Sequence, residues 1–122
     1  MNAARTLIAD YIRTWNETDP SRRRALIEHV YAEHATYTDP LAQARGWEAI
    51  DATIGAVQGM FPGHAFTLAG EVDAHHDVAR FHWHLAAPDA REPLVIGFDV
   101  AELDEGRIRR VHGFLDKVPV AA

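Results

Sequence analysis

Two aspartates in this chain occupy positions where an ionisable group is costly unless it has a task. Asp39 closes the β-prone run Ala35-Thr36-Tyr37-Thr38 and precedes Pro40, while Asp99 lies within Leu94-Val95-Ile96-Gly97-Phe98-Asp99-Val100-Ala101, among apolar neighbours. Taking a carboxylate out of water costs several kcal/mol unless it is paired, hydrogen-bonded or protonated. Burial and a like-charged neighbour both raise its pKa. Two carboxyls in different environments can therefore divide labour, one ionised and accepting a proton, the other protonated and donating a hydrogen bond. That is the chemistry of moving a proton beside a carbonyl group.

Asp39 belongs to the second of two Thr-Asp-Pro copies, the first being Thr18 to Pro20. Asp19 precedes a helical pattern, where it can cap orphan amides, and Pro20 suits the first helical position because it has no N–H to lose. Asp39 starts no helix, since Leu41 to Gly46 intervenes before the next helical run. Its structural alternative is an Asx turn at Pro40. Asp99 has one too, as an ion-pair partner of Arg80 or a histidine.

The run Val78-Ala79-Arg80-Phe81-His82-Trp83-His84-Leu85-Ala86 alternates a charged set, Arg80, His82 and His84, with an apolar set, Phe81, Trp83 and Leu85. One set must face inward, and a slip of one residue exchanges them. His82 and His84 share a strand face, a spacing that can hold a metal with a carboxylate, but it is also what any histidine pair two apart gives. No metal site is assigned.

These groups need elements to position them. Leu7, Ile8, Tyr11, Ile12 and Trp15 recur at helical spacing over about residues 3–17. Leu26, Ile27, Val30 and Tyr31 form the stripe of a second helix, and Trp47, Ile50, Ile54 and Val57 that of a third, closed by Phe61-Pro62-Gly63. From residue 64 the period becomes two, predicting an antiparallel sheet of four long strands over about 64–73, 78–87, 94–103 and 107–118. Helices followed by a curved meander give an α+β order, a bent sheet around helices with a cone-like hollow for a small molecule. Strands 78–86 and 94–103 are apolar on both faces, which predicts a homodimer through the outer sheet face.

Composition limits the alternatives. With 18 acidic against 12 basic residues and a formal charge of −6, the chain lacks the dense positive field that nucleic acid requires. The run Arg22-Arg23-Arg24 reads as a solvated helix face. Without cysteine there is no disulfide, thiolate nucleophile or Cys-based metal site. No apolar run approaches membrane-spanning length, and the expectation is a soluble cytoplasmic protein.

The chain resembles the nuclear transport factor 2-like superfamily, in particular its SnoaL-like and ketosteroid-isomerase-like members. The resemblance rests on Tyr11 to Pro20 (YIRTWNETDP), Tyr31 to Pro40 (YAEHATYTDP), Gly46 to Ile50 (GWEAI) and Ile96 to Phe114 (IGFDVAELDEGRIRRVHGF), in order across about residues 5–118. It implies a cone-shaped, curved, mixed sheet wrapped around three N-terminal helices, an α+β barrel in one domain. It implies Asp39 as base and Tyr11 with Asp99 as hydrogen-bond donors, with no cofactor, for isomerase- or cyclase-type enolisation. Packing alone would also put Tyr11 on its helix's core face.

The pocket so implied is lined by Trp15 and Tyr37, by Ile54 and Phe61, by Phe66, and by Val111 and Gly113. The same register turns Arg80, His82 and His84 inward, unlike the apolar positions of the isomerases, and predicts a polar or anionic ligand. The opposite register would make Phe81 and Trp83 an apolar wall. Since the family also contains non-catalytic binding proteins on the same cone, the site must be argued residue by residue.

Overall fold

A computed structural model describes residues 3–119. Helix α1 spans Ala3–Asn16, α2 Pro20–Val30 and α3 Trp47–Met60; the strands are β1 Tyr31–Thr38, β2 Gln43–Arg45, β3 Ala65–His75, β4 Val78–Ala86, β5 Val95–Asp104 and β6 Arg107–Lys117. The first Thr-Asp-Pro copy caps α2 as its chemistry demands. Asp19 is the N-cap, accepting from the Arg22 amide at 2.9 Å, and Pro20 opens the helix.

Tyr31 does not continue the stripe of α2. It turns extended and begins β1, remaining wholly buried. A β-branched and aromatic run after a short helix is better satisfied by a ladder than by another helical turn. The three-residue β2, absent from the sequence expectation, pairs antiparallel with β1. Arg23 also departs from the solvated face expected of the arginine run. Its guanidinium is 2.6 Å from Asp51 and donates to Gln58 at 2.9 Å, fastening α2 to α3, while Arg24 pairs with Glu28 outside.

The sheet order is β2-β1-β6-β5-β4-β3. The β1–β6 pairing is parallel and the others are antiparallel. With β2 and β3 as edges the sheet stays open and does not close into the barrel of the sequence expectation. A register shift in β3 between Ala69 and Asp73 contains Gly70 at φ 82, a left-handed geometry that glycine adopts freely. Such an extra-residue bulge bends the strand, so the sheet curls over the helices. The concave face and the helices share one core that includes Ile8, Ile27, Ile54, Phe81, Ile108 and Val111.

Candidate active site

The residues of β4 settle which set faces the core. Ala79, Phe81, Trp83 and Leu85 are buried, Arg80 and His82 are exposed, and His84 is half-buried. Arg80 reaches Asp73 at 3.2 Å on the far side of the sheet, and the His82 ring packs on Phe98 at 5.6 Å. The inward placement of Arg80, His82 and His84 is therefore corrected. Burying Phe81, Trp83 and Leu85 against helices gains hydrophobic free energy, whereas burying a guanidinium and two imidazoles would cost it. His82 and His84 stand outside, and among the described residues no group of three His, Asp or Glu is arranged to hold a metal ion.

Between the concave face and α1 and α3 lies a cavity of about 790 Å³. Trp15, Tyr37, Phe61, Phe66 and Gly113 line it, as do Tyr11, Asp39 and Asp99. Ile54 and Val111 do not reach it and belong to the packed core at 0% and 1% exposure. Trp83, which the opposite register had set on an apolar wall, lines the cavity with Leu115, and Leu85, Val95 and Met60 add to a largely apolar lining. Among the described residues no Lys, Arg or His lines the cavity.

The polar groups gather on one side. The Tyr11 hydroxyl donates to Asp99 Oδ2 at 2.7 Å, and the Trp83 indole donates to Asp99 Oδ1 at 3.1 Å. Asp99 is 2% exposed. Burial raises its carboxyl to about 6 although both donors favour the ionised form, and the charge of Asp39 adds to the rise. Tyr11 and Tyr37 are each held well above the ordinary phenol range, first by burial and next by the charge of Asp99.

Asp39 is held differently. Oδ2 accepts from the Tyr37 hydroxyl at 2.5 Å, and Oδ1 accepts from the amides of Leu41 and Ala42, each at 2.8 Å. The Asx turn and the cavity placement are thus both real. Neither Arg80 nor a histidine pairs with Asp99.

Glycines make this convergence possible. Asp99 lies opposite Gly113 across β5–β6, and Trp83 lies opposite Gly97 across β4–β5. A Cβ at Gly113 would lie 3.0 Å from Asp99 Oδ1, 3.1 Å from Asp39 Cβ and 3.5 Å from the Tyr37 hydroxyl. A Cβ at Gly97 would lie 2.5 Å from the Trp83 ring and 2.5 Å from the Phe114 carbonyl oxygen.

The model of the SnoaL-like domain matches residues 8–111. The chain belongs to the SnoaL-like domain family. A SnoaL-like protein from Agrobacterium tumefaciens, named as a candidate isomerase, is 44% identical, with a TM-score of 0.89 over 95% of this chain and 99% of that one. A candidate ketosteroid isomerase from Kribbella flavida is 20% identical, with a TM-score of 0.71 over 98% of this chain and 82% of that one. A candidate polyketide cyclase from Sinorhizobium meliloti is 20% identical, with a TM-score of 0.70 over 93% of this chain and 99% of that one. The last two likenesses carry the nuclear transport factor 2-like fold alone. No curated protein matches the chain. Among the described residues of this SnoaL-like domain, no helix is long and apolar enough to cross a membrane.

Proposed function

We propose that this SnoaL-like protein is an enzyme that moves a proton beside the carbonyl of a small, neutral, largely apolar compound, by isomerase- or cyclase-type enolisation. Asp39 takes the proton. Tyr11 and Asp99 form the donor side that stabilises the oxygen as negative charge grows on it. No cofactor is required. The observation that carries this reading is the convergence of Asp39, the Tyr37 hydroxyl and Asp99 on the space beside Gly113, at the wall of an otherwise apolar cavity. The absence of a cationic side chain from that wall replaces the polar or anionic ligand expected from the sequence with a neutral one.

A cavity of about 790 Å³ lies within the usual range for small-molecule sites. The proposal includes a homodimer through the outer sheet face, supported by the stack of Phe98 on Phe114 at 5.0 Å beside His82, and a cytoplasmic setting. A second reading, a non-catalytic binding protein, is favoured by one observation. Asp39 accepts three hydrogen bonds from its own chain, so three of its about four lone-pair sites are engaged, and one on Oδ2 is left.

Exchange of the acidic α-protons of 2-tetralone in D₂O, followed by proton NMR, separates the two. The enzyme reading expects acceleration by the native protein and its loss in Asp39→Asn. Binding of the ketone without acceleration would establish the second reading instead.

A further inference from the structure

A second, smaller cavity of about 250 Å³ lies where the end of α1, the end of α3 and the start of β3 meet. It shares Trp15, Val57, Phe61, Phe66 and Leu85 with the large cavity, so side chains alone divide the two spaces. The residues it does not share include four polar ones, Asn16, Thr18, Gln58 and His64.

The β3–β4 ladder measures how far this chamber stands from the carboxyls. Trp83, whose indole reaches Asp99, pairs with Leu68; Leu85 pairs with Phe66, and Ala86 with Ala65, next to His64. From Leu68 back to His64 the chain advances by about 13 Å at about 3.3 Å per residue. The apolar stretch of the large cavity thus separates the carboxyls from a second polar end.

Much of the polar capacity of the chamber holds the chain in place. Gln58 gives both amide hydrogens to the Trp15 and Glu17 carbonyls, at 3.1 and 2.8 Å, and Asn16 exchanges two hydrogen bonds with the Phe66 backbone. His64 keeps one edge of its ring free. Its Nδ1 lies 3.1 Å from the Pro62 carbonyl oxygen, which can only accept, so the neutral ring carries its proton there. Nε2 is left with a lone pair and has no partner among the described residues. The second amide hydrogen of Asn16 and the Thr18 hydroxyl add donors to the same chamber. An acceptor beside donors suits a hydroxyl group, which both donates and accepts.

We propose that this chamber is a second subsite of the ligand, in which His64 Nε2 accepts a hydrogen bond from a hydroxyl at the end of the molecule remote from its carbonyl. The proposal rests on the carbonyl placement given above and narrows the substrate class to elongated hydroxy ketones. Phe61 is the dividing side chain that can yield to such a ligand. Trp15 and Leu85 are buried, Val57 lies within α3, and Phe66 has its backbone clamped by Asn16. Phe61 caps α3 from outside its last turn, its ring meets the imidazole edge-on at 5.9 Å, and Gly63 two residues on turns the loop at φ 78.

The test compares 2-acetylnaphthalene with 6-hydroxy-2-acetylnaphthalene by calorimetry, in the native protein and in His64→Phe, which keeps a ring and removes the acceptor. One added neutral hydrogen bond should make the hydroxy ketone bind about 3- to 10-fold tighter to the native protein. In His64→Phe the preference should vanish or reverse. Equal affinity of the native protein for the two ketones overturns the proposal. So does a preference that His64→Phe leaves intact, which would put the hydroxyl beside Tyr11 or Asp39 instead. Imidazole-nitrogen NMR of the native protein gives the second readout. The hydroxy ketone should move the His64 Nε2 resonance and 2-acetylnaphthalene should not; equal movement with both also overturns the proposal. Neither readout needs turnover. A preference that follows His64 in a protein that exchanges no 2-tetralone proton would sink the enzyme reading and leave the subsite standing, whereas exchange without the preference would sink the subsite alone.

Discussion

Gly113 faces Asp99 across the β5–β6 ladder, and the space left by its missing side chain is bordered by Asp99 Oδ1, Asp39 Cβ and the Tyr37 hydroxyl. Gly113→Ala would press a methyl group against Asp99 Oδ1, Asp39 Cβ and the Tyr37 hydroxyl. Overpacking of this kind costs about 1–3 kcal/mol. The expected outcome is a lower thermal midpoint with the fold retained, together with affinity for 2-acetylnaphthalene weakened by about tenfold or more. Unaltered affinity in calorimetry would mean that the ligand does not approach this wall.

Asp99 should make stability depend on pH in a stated direction. Its carboxyl lies at about 6 in the folded chain against an ordinary value of 3.8, so the folded state holds the proton more tightly. Stability is greatest, with respect to this group, below about 3.8, falls as pH rises toward about 6, and levels off above that. Asp99→Asn removes the charge and retains an acceptor for Trp83 and a donor for Tyr11. Chemical unfolding should find it more stable than the native protein at pH 7.5, by about 1–3 kcal/mol, with the difference shrinking toward pH 4.

Asp39→Asn keeps an oxygen for the Leu41 and Ala42 amides and offers an amide to the Tyr37 oxygen. The fold should survive while the proton acceptor is lost. Exchange of 2-tetralone protons should slow by about 100- to 10,000-fold, the range expected for loss of a general base, with unchanged circular dichroism as the control.

Gly97 and Trp83 should be energetically coupled. Gly97→Ala sets a methyl group 2.5 Å from both the indole and the Phe114 carbonyl, and the expected cost is about 2–3 kcal/mol. Trp83→Leu relieves the indole contact but not the carbonyl one. In the double variant the cost should fall short of the sum by about 0.5–2 kcal/mol. Strict additivity in urea unfolding would show that the ring does not rest on this glycine.

Phe98 does not itself line the cavity, although Phe114, on which it stacks, does, and Phe98→Glu tests the proposed dimer. A carboxylate beside Phe114 and His82 should shift the protein to monomer in sedimentation equilibrium while its unfolding remains cooperative.

The helices and long strands were legible in the sequence because their apolar periods are strong, and Asp19 could be separated from Asp39 because a helical run begins at Pro20 and none begins at Pro40. Tyr11, Asp39 and Asp99 were legible as a group through resemblance, and the structure brings all three to one cavity. The orientation of β4 was misread, although its own pattern was sufficient. Phe81, Trp83 and Leu85 bury far more apolar surface than Arg80, His82 and His84, and that difference outweighs a register borrowed from relatives. The three residues of β2 are too few to show a period. Trp83 as a partner of Asp99 left one visible trace, a large ring on the inward set of a strand whose neighbour carries a glycine, but the pairing of 83 with 97 is a property of the fold.

The parallel pairing of β1 with β6 has a consequence for how the chain must be made. Tyr37 meets Val111, and Asp39 meets the space beside Gly113, only after β6 has inserted next to the first strand. Contacts of such sequence separation slow folding, because loop closure must be completed before they form. During synthesis the first hundred residues would hold an unpaired inner edge on β1 and an uncovered aromatic wall. Docking of β6 is thus the step that ends exposure to aggregation and, at the same moment, assembles both carboxyls.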